Sequence, residues 1–172
     1  MRIRRAQAAD LADVARVLRD AFMEFEHLYT AEGFRATTPG VSDLRARLAE
    51  GPLWIARADA RVIGTVAAVA RDDGLYVRSM AVVPDARGDG VARGLMDEVQ
   101  RFASTVSADR LYLSTTPFLY SAIRLYEALG FRRTGEPPHD LHGTPLFVMA
   151  KPLKDRTPAA SRRRSVGGAE PS

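Results

Sequence analysis

Apolar residues in the first third of the chain recur three and four positions apart. Leu11, Val14, Ala15, Leu18 and Phe22 fall on one stripe, which predicts an amphipathic helix with Asp10 as its N-cap. The helical pattern runs on through Phe25 and Leu28, and Ile3-Arg4-Arg5-Ala6 ahead of it reads as a short first strand. Residues 33–40, with Thr37-Thr38-Pro39, read as a loop. Ser42 or Asp43 is expected to cap a short helix through Glu50, which Gly51-Pro52 ends. The period then changes to that of strands. Residues 54–58 and 62–70 flank a tight Asp59-Ala60-Arg61 turn, and Asp72-Asp73-Gly74 turns the chain into a central strand over 75–83. A long helix over 89–106, a buried strand over 111–114 and a helix over 119–129 follow, with Gly130 at the C′ position of the last. The final strands are expected at 131–136 and 146–150, joined by a loop rich in Pro, His and Gly. This order, βααβββαβαβ, predicts an α/β (α+β) chain: a mixed sheet with helices on both faces.

Length and composition narrow the class. At 172 residues with 46% hydrophobic content, one soluble domain is expected. No apolar run approaches a bilayer span, and the Met-Arg-Ile-Arg-Arg opening lacks the apolar core of a signal peptide, so no membrane association and a cytoplasmic location are expected. The absence of cysteine excludes disulfides, thiolate metal sites and a cysteine nucleophile. The net charge of +4 is concentrated at one end. Residues 154–172 hold five basic and two acidic side chains and lose all periodicity, so a folded domain is expected over 1–153 and a disordered basic tail over 154–172. With the charge removed to a tail, the domain is nearly neutral and no nucleic-acid partner is expected of it.

The most specific chemistry lies in Val82-Val83-Pro84-Asp85-Ala86-Arg87-Gly88-Asp89-Gly90-Val91-Ala92-Arg93. An apolar strand turns at Pro84, passes two glycines and becomes helical. A turn of this kind aims free backbone N–H groups at one point, where the helix dipole adds positive potential, and phosphate is its natural occupant. Spacing separates the kinds of phosphate loop. A P-loop needs Gly-Lys-Ser/Thr after its last glycine, and Gly90 is followed by Val91-Ala92. A dinucleotide fingerprint needs a third glycine where Arg93 stands.

The pattern Arg87-x-x-Gly90-x-Ala92 resembles the pyrophosphate loop of the GNAT N-acetyltransferases, which reads Arg/Gln-x-x-Gly-x-Gly/Ala after a strand ending in Val-x-Pro. A second segment, Ala122-Ile123-Arg124-Leu125-Tyr126-Glu127-Ala128-Leu129-Gly130-Phe131, resembles that family's Ala-x-x-Leu-Tyr-Glu-x-Leu-Gly-Phe stretch, one helix and one strand downstream. The resemblance covers residues 3–152 and implies a GNAT-type fold, with a mostly antiparallel sheet of about seven strands. It implies acetyl-CoA as cosubstrate with no metal, and a primary amine on a small molecule or peptide as acceptor. Family members are often dimers, so a homodimer is expected. One position departs from the family: its asparagine falls on Leu119.

Acetyl transfer to an amine needs a remote grip on the carrier, a donor for the developing oxyanion, a neutral amine and an acid for the leaving thiolate. The resemblance places the grip at Arg87, Gly88, Asp89, Gly90, Val91, Ala92 and Arg93, and the pantetheine arm on backbone groups of Met80, Ala81 and Val82. Tyr126 matches the family's general acid, whose ionisation is expected to appear as a high-pH limb of the rate profile; it either protonates the thiolate or orients the sulfur. Glu24 and Glu26, on the helical region flanking the acceptor side, are candidates for the base. A non-catalytic acyl-CoA-binding module on the same fold is the alternative to an enzyme.

Overall fold

The computed structural model describes residues 1–153; the expected basic tail lies outside the described residues. Eight strands are seen among them: β1 (Arg2–Arg5), β2 (Leu53–Ala58), β3 (Arg61–Arg71), β4 (Gly74–Val82), β5 (Arg110–Thr115), β6 (Arg132–Arg133), β7 (His139–Leu141) and β8 (Thr144–Pro152). They lie in the order β1-β2-β3-β4-β5-β8-β6, with β7 paired to the start of β8. All described pairings are antiparallel except β4 with β5. That parallel pair needs a crossover, which α4 (Val91–Thr105) supplies.

The helices are α1 (Leu11–Phe22), α2 (Ala31–Thr37), α3 (Val41–Glu50), α4 and α5 (Tyr120–Ala128). The predicted stripe of α1 is its buried face, through Leu11, Val14, Val17, Leu18 and Ala21. α4 buries Val91, Leu95, Met96, Val99 and Ala103 against the sheet. Both helices pack on β3, whose residues 62–68 are buried without alternation because each face is covered. At Gly64 a Cβ would stand 2.8 Å from Val91 Cγ1, so the glycine sets how closely α4 approaches. No helix among the described residues is long and apolar enough to cross a membrane.

The structure corrects the expected elements in several places. Residues 33–40 are not all loop: α2 occupies Ala31–Thr37, capped by Thr30, whose hydroxyl accepts a bond from the Gly33 N–H at 3.0 Å. Gly33 hid the helix in the sequence, yet a Cβ there would run into Leu141 O and Thr144 Oγ1, so it is what lets α2 lie against the last hairpin. That hairpin is the second correction. The expected Pro/His/Gly loop contains β7, turned into β8 at His142 (φ 51°) and Gly143 (φ 89°), the paired positive φ values of a type I′ turn. With it the sheet has eight strands rather than about seven. The expected strand over 131–136 shrinks to β6, and residues 23–28 form a 3-10 rather than an α helix. Asp10 stands at the N-cap of α1 as expected but makes no side-chain cap bond; its carboxylate accepts the Gln7 N–H and both terminal nitrogens of Arg4, each at 2.8 Å. Gly40, not Ser42 or Asp43, is the N-cap of α3, and α4 begins at Val91 rather than Asp89.

Candidate active site

After β4, a 3-10 turn over Pro84–Ala86 leads into the glycine-rich turn. Gly88 (φ 91°) and Gly90 (φ 77°) hold left-handed conformations that favour glycine. Gly90 is the N-cap of α4, and the first bond into the helix runs from the Gly94 N–H to the Gly90 carbonyl at 3.0 Å. The N–H groups of Val91, Ala92 and Arg93 precede that bond and point out of the helix start. No atom lies within 4 Å of where a Cβ would stand on Gly88 or Gly90. The turn is therefore open on the side its glycines face, and N–H donors at a helix start are groups that fit a phosphate. Arg93 and Asp89 are exposed beside it. Arg87 folds back instead: it donates to Glu24 Oε1 at 2.5 Å, to Ala21 O at 2.9 Å and to Val82 O at 3.4 Å, tying the turn to the end of α1.

Upstream of the turn the sheet is split. β4 and β5 pair only at Leu75↔Leu111 and Tyr76↔Tyr112, although β4 continues to Val82 and β5 to Thr115. Past Tyr76 the β4 edge that faces β5 has no strand partner among the described residues. The split coincides with a β-bulge. Thr65 pairs with Ala81 and Ala67 with Arg78, so Ser79 and Met80 together oppose Val66, and Ser79 takes φ 53°. An extended chain laid in the split would find backbone groups to pair with, as an added strand does. Met80 lines the split, Ala81 is buried under it and Val82 stands at its end beside Arg87.

The split opens into a cleft of about 340 Å³. Tyr126 of α5 forms part of its wall. The Schellman-like end of α5 fixes this side chain: the Phe131 N–H donates to Tyr126 O at 2.9 Å, Gly130 takes φ 95°, and the two rings lie 5.8 Å apart. Tyr126 is 7% exposed. Burial raises its pKa well above the ordinary phenol value, with Tyr29 and Tyr76 adding to the effect. The phenol is therefore protonated at neutral pH. Leu119 lies at the start of α5 and lines the cleft with no side-chain cap. Tyr29, edge-on to Phe118 at 4.9 Å, stands on the opposite wall, and burial pushes its hydroxyl up to about 12.

Neither Glu24 nor Glu26 lines the cleft. Glu24 is held by Arg87, and Glu26 is exposed on the 3-10 segment after α1. The residues that do line it include no carboxylate or imidazole, but three arginines: Arg47 of α3, Arg71 of β3 and Arg78 of β4. Ser114 of β5 also lines it and meets His139 Nε2 at 3.2 Å. These arginines and Ser114 were not singled out from the sequence. One signal was available for Arg78: a charged residue in the middle of a central strand that is otherwise apolar.

The acetyltransferase (GNAT) family matches residues 14–131 of the chain. N-acetylaspartate synthetase of Danio rerio is 40% identical over 85 residues, a region that is 48% of this chain and 30% of that protein. N-acetyltransferase 8B of Homo sapiens is 34% identical over 89 residues, 48% of this chain and 39% of that one. The chain thus matches well under half the length of these curated relatives. Among solved structures, the PaiA N-acetyltransferase of Thermoplasma acidophilum in complex with coenzyme A superposes with a TM-score of 0.75 at 16% identity, covering 88% of this chain and 98% of that one. The yncA protein of Salmonella typhimurium with its cofactor acetyl-CoA gives 0.68 at 20% identity, covering 91% and 95%. At these identities the structural likeness is one of fold.

Proposed function

Because the chain belongs to the GNAT acetyltransferase family, we propose that it moves the acetyl group of acetyl-CoA to a primary amine by direct attack in a ternary complex. The observation that carries this reading is the continuity of three features: an open phosphate cradle, an unpaired strand edge leading away from it, and a buried protonated tyrosine in the cleft at the end of that edge. The cosubstrate supplies an acetyl thioester. Gly88, Gly90 and the N–H groups of Val91, Ala92 and Arg93 hold its pyrophosphate, and Arg87 joins them by exchanging its Glu24 contact for phosphate. Backbone groups at Met80, Ala81 and Val82 pair with the arm, and an N–H of the bulge stabilises the carbonyl oxygen as it gains charge.

In the step itself a C–N bond forms, the C–S bond breaks and one proton leaves the amine. Tyr126 donates its hydrogen bond to the departing sulfur. Its raised pKa makes it a firm donor in the ground state, so the proton follows only as negative charge builds on sulfur. The amine proton needs an acceptor at the cleft. Glu24 and Glu26 stand outside the cleft lining, and Glu50 is committed to Arg78. His139, bonded to Ser114 of the cleft wall, is the nearby side chain that offers a ring nitrogen as acceptor, directly or through water.

The test has two parts. Acetyl-CoA at millimolar concentration is expected to raise the melting temperature, since it binds the folded state, while acetate at the same concentration does not. Release of free thiol is then followed across a panel of primary amines. Binding without turnover for any amine would overturn the transferase reading in favour of a non-catalytic acyl-CoA-binding module. No thermal shift would overturn the cosubstrate assignment as well.

A further inference from the structure

The cleft is lined by three guanidinium groups and by no carboxylate. Each arginine is held in a different way. Arg47 donates from Nη1 to Ser79 Oγ at 3.0 Å and from Nη2 to Ala36 O at 3.0 Å, two neutral acceptors, while Asp43 and Glu50 act on its charge without a direct bond. Burial lowers its pKa, and the neighbouring Arg78 acts in the same direction. Arg78 is anchored by Glu50 at 2.7 Å, with a side chain only 17% exposed, and its Nε is buried without a partner. Arg71 lies flat over the Tyr76 ring, with Cζ 4.2 Å from the centroid.

Gathering like charges in a part-buried cleft is unfavourable, and a buried guanidinium donor left unbonded adds to the cost. Both costs are offset when an anion enters. The catalytic chemistry described above makes no use of these groups. The phosphates of the cosubstrate do not account for them either. Arg78 precedes Val82, the last residue of β4, by four positions, so about 13 Å of strand separates it from the strand end. The phosphate cradle lies beyond that end, with Arg87 and Arg93 beside it. Thr37 of α2 and Leu141 and Leu146 of the last hairpin line the same cleft as the three arginines.

We propose that the acceptor is a small amine that also carries a carboxylate, and that Arg47 and Arg78 bind this carboxylate while Arg71, stacked on Tyr76, closes the anionic side of the cleft. The proposal rests on the acetyltransferase reading for calling the ligand an acceptor. A planar carboxylate matches the forked geometry of guanidinium, which a lysine would not supply. Held at that end, the amine is directed toward the split between β4 and β5 and toward Tyr126.

The experiment compares L-amino acids with their α-carboxamides, which differ only in the anionic group. Wild-type protein is assayed for acetyl transfer with each pair. The same compounds are titrated calorimetrically into protein saturated with coenzyme A, where no turnover occurs. The expected result is a kcat/KM at least tenfold higher for the carboxylates, with a matching difference in affinity. Arg47→Gln is expected to lower kcat/KM for carboxylates by about 10- to 100-fold, the range for hydrogen bonds to a charged group, mainly through KM. It should leave the carboxamides and the thermal shift by acetyl-CoA unchanged. Arg47→Lys should recover only part of the loss. Should Arg47→Gln fail to fold, Arg71→Gln on the exposed rim and the wild-type ratio carry the test. Carboxamides or cationic amines used as well as carboxylates would overturn this proposal and leave the acetyltransferase reading intact. Carboxylates bound but never acetylated would overturn the acetyltransferase reading while the anion site stands. Equal losses for carboxylate and carboxamide in Arg47→Gln would show that Arg47 only braces α2, α3 and the bulge.

Discussion

The two ends of the cleft are built on different plans. The proposed phosphate end is one continuous stretch: strand, turn and helix start lie within residues 74–105, and the groups it offers are backbone N–H donors at the start of α4. The proposed acceptor end is assembled from α2, α3, β3, β4 and the β7–β8 hairpin, and the groups it offers are side chains. Glycine shows the contrast most clearly. Gly90 has empty space where its Cβ would stand, whereas at Gly33 the same position is filled by Leu141 O at 2.9 Å and the hydroxyls of Thr30 and Thr144. The first glycine keeps room for a ligand, and the second keeps room for the protein itself.

That difference can be broken or sharpened by mutation. The largest effect is expected between the two ends, at Tyr126→Phe. Losing the donor to the leaving sulfur should lower kcat by roughly 10²–10⁴-fold with little change in acetyl-CoA affinity. Because burial raises the phenol pKa, the wild-type rate profile should show no descending limb from this group up to pH 10. A descending limb that vanishes in Tyr126→Phe would contradict the buried, protonated state.

Gly90→Val comes next. A β-branched residue at φ 77° strains the turn and fills the cradle, so acetyl-CoA affinity should fall by about 10- to 100-fold, equivalent to one lost charge-assisted hydrogen bond. The acceptor end should remain folded, with the amino-carboxylate titration unchanged. If affinity for acetyl-CoA is retained, the phosphate cradle lies elsewhere. Gly33→Ala should do the opposite. Forcing a Cβ into the hairpin is expected to cost about 1–3 kcal/mol of stability, read from the denaturant midpoint, and to impair the acceptor KM more than the acetyl-CoA KM. Equal stability in the variant would mean that α2 moves freely off the hairpin.

The smallest expected effect is on alkaline stability. The raised pKa of Tyr29 means that the folded state keeps its proton above the unfolded value of about 10. The stability from that difference is complete below about pH 10 and is lost as pH rises toward the folded value of about 12. Tyr29→Phe should therefore flatten the fall in melting temperature over that window. An unchanged slope would place the sensitivity in other groups, Tyr126 first among them.

Much of the fold and one end of the site can be read in the residues as written. The stripe of α1, the apolar runs of β3 and β4, the Asp73-Gly74 turn and the Gly130 cap each express a local period or a single backbone requirement. The phosphate turn is legible for the same reason, since glycines at left-handed positions before a helix state their purpose within a few residues. Tyr126 became legible through its neighbours Leu125, Leu129 and Gly130, which set the helix end that aims it.

The tertiary structure alone decided the other end. Gly33 and the run Pro137-Pro138-His139 argue locally for loop, yet α2 and β7 form because each covers the other through Thr30, which bonds both His142 O and Thr144. The charge of the cleft was equally hidden. Arg47, Arg71 and Arg78 are spread over three elements, and apart from the place of Arg78 in a central strand nothing sets them apart in a chain with 25 Lys and Arg. Only the bulge at Ser79, which gives Arg47 an acceptor, and the failure of β4 and β5 to pair past Tyr76 bring them to one cavity. Backbone chemistry is written in consecutive residues because it depends on φ, ψ and helix ends. Side-chain chemistry that converges from distant strands depends on register and splay, and those are set by the packed sheet as a whole.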